Sequence, residues 1–111
     1  MKEGEIVLAS LRQADGKVKP RPVLLLKQMP KYNDFLVCGI SSQLGQFVDG
    51  LDLIVSEKET DFNESGLMVS SVIRISFLSV ITEKSIAGTI GKINETKHKR
   101  LLKNLSEYLI S

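Results

Sequence analysis

At 111 residues, 42% hydrophobic and 25% charged, the chain reads as one globular domain over residues 1–111, long enough to bury a core without a disulfide or metal staple. A formal net charge of +2 neither demands nor excludes nucleic acid, so a basic site has to come from local arrangement. One cysteine, Cys38, excludes an internal disulfide and fits a reducing compartment, and with a single histidine it leaves too few ligands for a zinc centre.

The first residues, MKEGEIVLAS, turn acidic at once and lack the apolar stretch of a signal peptide. The apolar runs are far shorter than a membrane span. A cytoplasmic protein with no membrane partner, no metal and no cofactor is expected.

In chain order, residues 5–11 (EIVLASL) predict a first strand led in by Gly4. Residues 12–20 (RQADGKVKP) have no periodicity and predict a loop. Residues 21–28 (RPVLLLKQ) predict a second strand, with Pro22 confined to its first turn or to an edge because proline donates no ladder hydrogen bond. A turn over 29–34 and a third strand over 35–42 (FLVCGISS) follow, the latter ending in a polar tip. Residues 43–50 read as an exposed loop and 51–56 as a fourth strand. The acidic stretch 57–66 reads as a solvated loop with room for a helical turn. Residues 67–81 (LMVSSVIRISFLSVI) suit one strand, or two joined by a bulge, and 85–93 a short last strand. In residues 94–111, Leu101, Leu102, Leu105, Tyr108 and Leu109 recur at helical spacing behind Asn94, a good N-cap residue. The pattern is mainly β with a C-terminal α-helix: a small, strongly bent sheet or barrel capped by the helix.

Few residues suggest acid–base chemistry. His98, in KHKR on the predicted helix, reads as a solvated side chain, and Cys38 as a small buried hydrophobe. GTIGK over 88–92 lacks the spacing of a phosphate loop. The remaining polar features are cationic and hydroxylic. Lys17, Lys19 and Arg21 lead into the second strand, Ser41 and Ser42 close the third, and Arg74 stands inside SVIRIS. Arg21, between Pro20 and Pro22, is either a strand start or a placed cation. Arg74 is either a solvent-face or ion-paired residue, or a second cation facing a phosphate.

In order along the chain, GEIVLASL, RPVLLL, GISSQ, SGLMVSSVIRIS and a terminal helix resemble the MazF/PemK (Kid) toxins of type II toxin–antitoxin systems. The resemblance implies an SH3-like small barrel of the MazF/PemK/CcdB kind, usually a homodimer. It implies a sequence-specific, metal-independent endoribonuclease acting on single-stranded RNA, and a cognate antitoxin protein that covers the RNA groove. The family's RP arginine falls on Arg21, acting at the scissile phosphate as acid or charge stabiliser. Its strand-end hydroxyl falls on Ser41, which would hold a phosphate oxygen in the transition state. The second arginine of PemK-type members falls on Arg74. Lys17, Lys19, Ser42, Gln43 and Ser76 complete the expected RNA and phosphate contacts, with Phe47 or Tyr32 available to stack a base. The sequence departs from the pattern before Arg21, where the usual glutamate is missing and Asp15 is the substitute, and at Ser76, where PemK-type members carry aspartate. These departures keep a second reading open, a non-catalytic toxin-fold binding protein or a CcdB-like gyrase poison. A third is a plain interaction module.

Overall fold

The computed structural model describes residues 1–12 and 16–111. Six strands, β1 (Glu5–Arg12), β2 (Val18–Met29), β3 (Asp34–Ser41), β4 (Leu53–Val55), β5 (Ser71–Ile81) and β6 (Ile86–Lys92), precede one helix, α1 (Glu95–Leu109). The strands form an antiparallel sheet in the order β4-β5-β3-β2-β1-β6. This is the mainly β architecture with a terminal helix that the sequence predicts, with one difference: the bent sheet does not close by hydrogen bonds, and β4 and β6 remain its two edges.

The run Val23–Leu26 is buried at every position because both faces of the sheet are covered there. Leu24 and Leu26 join Cys38, Ile40, Ile73 and Ile75 in a core sealed by Leu101 and Leu105 of α1. Val23 and Leu25 join Val7, Ala9, Phe35, Val37 and Ile81 in a second apolar cluster. Alternating side chains supply both sides, so a strand in this position reads as continuous apolar sequence.

The gap between the open edges is filled by the segment between β4 and β5. Its one-turn 3-10 helix, Phe62–Ser65, ends at Gly66, whose φ of 72° is a left-handed conformation that favours glycine. A Cβ at Gly66 would fall on the backbone carbonyl of Ile90, and one at Gly91 on the backbone of Ser65. The turn therefore lies flush against β6, and backbone contact does what a closing ladder would do.

Asn94 caps α1, its Oδ1 accepting the Lys97 N–H at 2.8 Å. Leu101 and Leu105 are buried, whereas Tyr108 and Leu109 are exposed, so the last turn extends past the surface the helix covers. Two expectations are corrected in this region. His98 is half-buried, and its Nε2–H donates to the Leu26 carbonyl at 2.8 Å. That carbonyl lies at the irregularity in β2–β3 pairing between Leu25 and Lys27, where the β3 register skips residue 26. The acidic stretch is not merely solvated either. Lys97 pairs with Glu59 at 2.5 Å and with Asp61 at 3.4 Å, and Asp61 also accepts from the Asn94 amide at 2.8 Å. These contacts tie the start of α1 to the segment that fills the sheet's gap. No helix among the described residues is long and apolar enough to cross a membrane.

Two predictions follow from these contacts. Gly91→Ala should cost about 3 kcal/mol or more, because the new methyl meets rigid backbone; urea unfolding checks this, and wild-type stability would mean that the turn is not seated on β6. The second concerns pH. The hydrogen bond from Lys97, then that from the Ser56 backbone, holds the Glu59 carboxyl below its ordinary 4.5. Asn94, with Lys97 behind it, likewise lowers Asp61. Folded values below the unfolded ones add stability that is complete above about pH 5 and disappears as pH falls through the folded values. Glu59→Gln should therefore narrow the stability difference between neutral pH and about pH 3 measured by urea unfolding; an unchanged difference would remove Glu59 from the account.

Candidate functional site

β2 begins three residues earlier than the sequence predicts, at Val18, so both prolines lie inside the strand. On one side it pairs with β1 along this stretch, Pro22 opposite Leu8, Arg21 opposite Ala9 and Pro20 opposite Ser10. On the other side, pairing with β3 stops at Val23–Gly39. Neither Pro20 nor Pro22 can donate, and alternate residues of a strand direct their N–H groups to the same side. The two prolines thus face the side that β3 has left, and β2 and β3 part where a ladder would otherwise continue.

The parted ends carry the cationic and hydroxylic residues. Arg74 on β5 lies opposite Gly39, and Val23 lies opposite Gly39 from the other side. Two residues further along their strands stand Ser41 and Arg21. By the alternation of side chains, Arg21, Ser41 and Arg74 share one face of the sheet. They line one cleft of about 660 Å³ together with Ser42 and Gln43, and the apolar residues Leu67, Met68, Val69 and Phe77. The Ser41 Oγ accepts the Gln43 N–H at 3.1 Å, which pins the turn after β3 and leaves the hydroxyl hydrogen able to donate.

Arg21 is exposed and Arg74 half-buried. Neither guanidinium has a carboxylate partner among the described residues. The Arg74 Nε is buried with no hydrogen-bond acceptor, and its guanidinium carbon lies 5.7 Å from the centre of the Phe77 ring. Of the readings of Arg74, the ion pair does not occur among the described residues, and the half-buried side chain is not a plain solvent-face residue. Two fixed positive charges with unused donors in a concave site suit a phosphate-bearing ligand.

Other expected residues lie elsewhere. Lys17 and Lys19 are exposed positions leading along β2, outside the cleft lining, and Ser76 is exposed and also outside it. Asp15 lies outside the described residues. Tyr32 is in the β2–β3 turn, beside Lys31, and Phe47 follows the short 3-10 turn Leu44–Gln46; neither lines the cleft. The aromatic that does is Phe77. Its sequence signal was Gly39, a glycine within a strand, which marks close approach of a neighbour: a Cβ there would stand 3.2 Å from the Phe77 Cδ1.

Asp52 was also not singled out in the sequence. Only 3% exposed, its carboxylate accepts the N–H of Val48 at 3.0 Å and that of Ser76 at 3.4 Å. β3–β5 pairing jumps from Gly39–Arg74 to Cys38–Leu78, leaving residues 75–77 as a bulge. Asp52 thus ties the loop before β4 to this bulge. Cys38, buried beneath, has its thiol pushed far up by burial and then by the Asp52 carboxylate, which makes it an inert core residue. Among the described residues, no group of three or more His, Cys, Asp or Glu could hold a metal.

The bent sheet with its terminal helix is similar in fold to the Mycobacterium tuberculosis toxin MazF-mt6, which superposes with a TM-score of 0.68, at 22% identity over 96% of each chain. No curated protein matches the chain. The model of the PemK-like, MazF-like toxin of type II toxin-antitoxin system matches residues 2–109, and the chain belongs to that family.

Removing the Asp52 carboxylate strands two backbone donors. Asp52→Ala should lower stability by about 1–3 kcal/mol and speed amide exchange at Val48 and Ser76 in particular. Unchanged protection at both amides would show that the carboxylate does not hold the loop to the bulge.

Proposed function

We propose that the chain is a sequence-specific endoribonuclease that cuts single-stranded RNA without a metal, as the toxin of a type II toxin–antitoxin pair. The observation that carries this reading is the cleft shared by Arg21, Ser41 and Arg74, with no carboxylate partner for either guanidinium among the described residues, in a chain of this family. The RNA 2′-hydroxyl attacks the adjacent phosphorus, and the bond to the 5′-oxygen of the next nucleotide breaks. The products are a 2′,3′-cyclic phosphate and a 5′-hydroxyl.

The transition state gathers negative charge on the non-bridging oxygens, which fixed donors in a cleft stabilise. Arg21 binds the scissile phosphate. It acts there as acid or as charge stabiliser, its paired N–H groups matching the phosphate oxygens. The Ser41 hydroxyl donates to one non-bridging oxygen, and Arg74 holds the same or the neighbouring phosphate. Ser42 and Gln43 offer further donors at the strand tip, while Lys17 and Lys19 extend positive charge along β2 toward flanking phosphates. Ser76, outside the cleft lining, drops out of the reading. No carboxylate or histidine lines the cleft among the described residues, and Asp15, the substitute base that the sequence offers for the 2′ proton, lies outside them. The same reading includes one toxin domain over residues 1–111, a homodimer, a cytoplasmic location, and an antitoxin segment that covers the cleft.

The absence of an acid–base pair in the lining favours one alternative, a toxin-fold binding protein or a CcdB-like gyrase poison. The test separates them. Purified protein is incubated with a long unstructured RNA in EDTA, and the product ends are mapped. The expected result is cuts at a short sequence ending in cyclic phosphate and 5′-hydroxyl. Arg21→Ala should slow cleavage by about a hundredfold or more, the scale seen on removing one transition-state donor. Folded wild type that leaves a broad RNA set intact would transfer the chain to the binding class. Cuts that persist in Arg21→Ala would take Arg21 out of the site.

A further inference from the structure

Arg74 reaches the cleft with its Nε buried and unpartnered and, among the described residues, with no carboxylate to fix its long side chain. Such a side chain has several rotamers to choose from, and a binding site gains from having the choice already made. What lies against it is the ring of Phe77, 5.7 Å from ring centre to guanidinium carbon. The two are three positions apart in sequence, and the bulge at 75–77 brings the ring back beside the arginine. On its other contact the ring rests against Gly39 of β3, where even a methyl group would crowd it. Phe77 is 43% exposed and lines the same cleft, so burial in the core does not explain its placement.

We propose that Phe77 is the positioning residue for Arg74, and that Gly39 is the seat that makes this possible. This rests on the reading of the cleft as a phosphate-binding site. The chemistry distinguishes a ring from a carboxylate as a partner. A carboxylate takes up the in-plane N–H groups of a guanidinium and neutralises its charge. An aromatic ring attracts the cation through its face, leaving the in-plane donors and the full charge for a ligand. Phe77 therefore orders Arg74 without spending what a phosphate needs.

The experiment follows the Arg74 side chain by NMR in wild type, Phe77→Leu and Phe77→Tyr, free and with a short oligothymidylate, which has phosphates but no 2′-hydroxyl to attack. In wild type the Arg74 side-chain protons should be shifted upfield by the ring current, and oligothymidylate should move the Nε–H resonance. Phe77→Leu should lose the upfield shift and bind about tenfold more weakly, while Phe77→Tyr should restore both. In a double-mutant cycle with Arg74→Ala the two losses should not add. A wild type without the ring-current shift, a wild type that does not bind oligothymidylate, or a Phe77→Leu variant that binds as wild type does would each overturn the inference. RNA cleavage, run in parallel, keeps the two claims apart. Intact RNA with the binding pattern above sinks the nuclease reading and leaves the positioning role standing. Cleavage that is unchanged in Phe77→Leu sinks the positioning role and leaves the nuclease reading standing.

Discussion

Two missing N–H groups organise this molecule. Pro20 and Pro22 cannot donate, so β2 can keep only one neighbour along that stretch, and it keeps β1. β3 is released after Gly39, and the space between the parted strands is the cleft. Arg21 lies between the prolines, on the one residue of the three that retains a donor. Proline also narrows the backbone choices of the residue before it, which confines Arg21 to extended conformations before any ligand arrives. The Pro-Arg-Pro sequence thus does two things with one covalent feature: it ends a pairing, and it fixes the residue that the ended pairing exposes.

The opposite wall depends on the β5 bulge. A regular strand would carry Phe77 to the other face from Arg74, since the two are an odd number of residues apart. Three unpaired residues break that alternation, and a bulge needs something to satisfy the donors it frees. The buried Asp52 meets the Ser76 N–H from the loop before β4. A carboxylate so deep in the protein is costly unless its oxygens are hydrogen-bonded, and Asp52 receives two backbone donors. The shape of the cleft therefore rests partly on a residue that does not line it.

The sequence is most readable where a pattern is local. Val23–Leu26 announces a strand covered on both faces, and Asn94 followed by Leu101 and Leu105 announces a capped, docked helix; period and capping chemistry are properties of neighbouring residues. Arg21 and Ser41 are legible only through the ordered resemblance, because nothing in either segment says that the two meet. What escaped depends on partners far apart in the chain. His98 looks solvated within KHKR, and its role comes from the Leu26 carbonyl that a β2 irregularity leaves over. Glu59 and Asp61 look like a charged loop until α1 brings Lys97 to them. Phe77 was hidden by the bulge, since reading β5 as a regular strand assigns it the wrong face. Gly39, and the bulge that residues 67–81 allow, were its visible traces.

The charge balance of the cleft says what kind of occupant it takes. Elsewhere four lysines pair with carboxylates: Lys27 with Glu3, Lys97 with Glu59 and Asp61, Lys99 with Glu95, Lys103 with Glu107. In the cleft the two arginines are held instead by proline-restricted backbone and by an aromatic ring. Neither device cancels charge. With a formal net charge of only +2, the protein has no broad positive field to draw polyanions, so attraction into the cleft rests on its guanidiniums at short range. A phosphate backbone answers that need, and so does the carboxylate-bearing segment of a partner protein. On the proposed reading both ligands use the same donors, so an acidic partner in the cleft would exclude RNA from it by direct competition. No conformational change is needed for such inhibition, and its strength falls as salt screens the partially exposed charges.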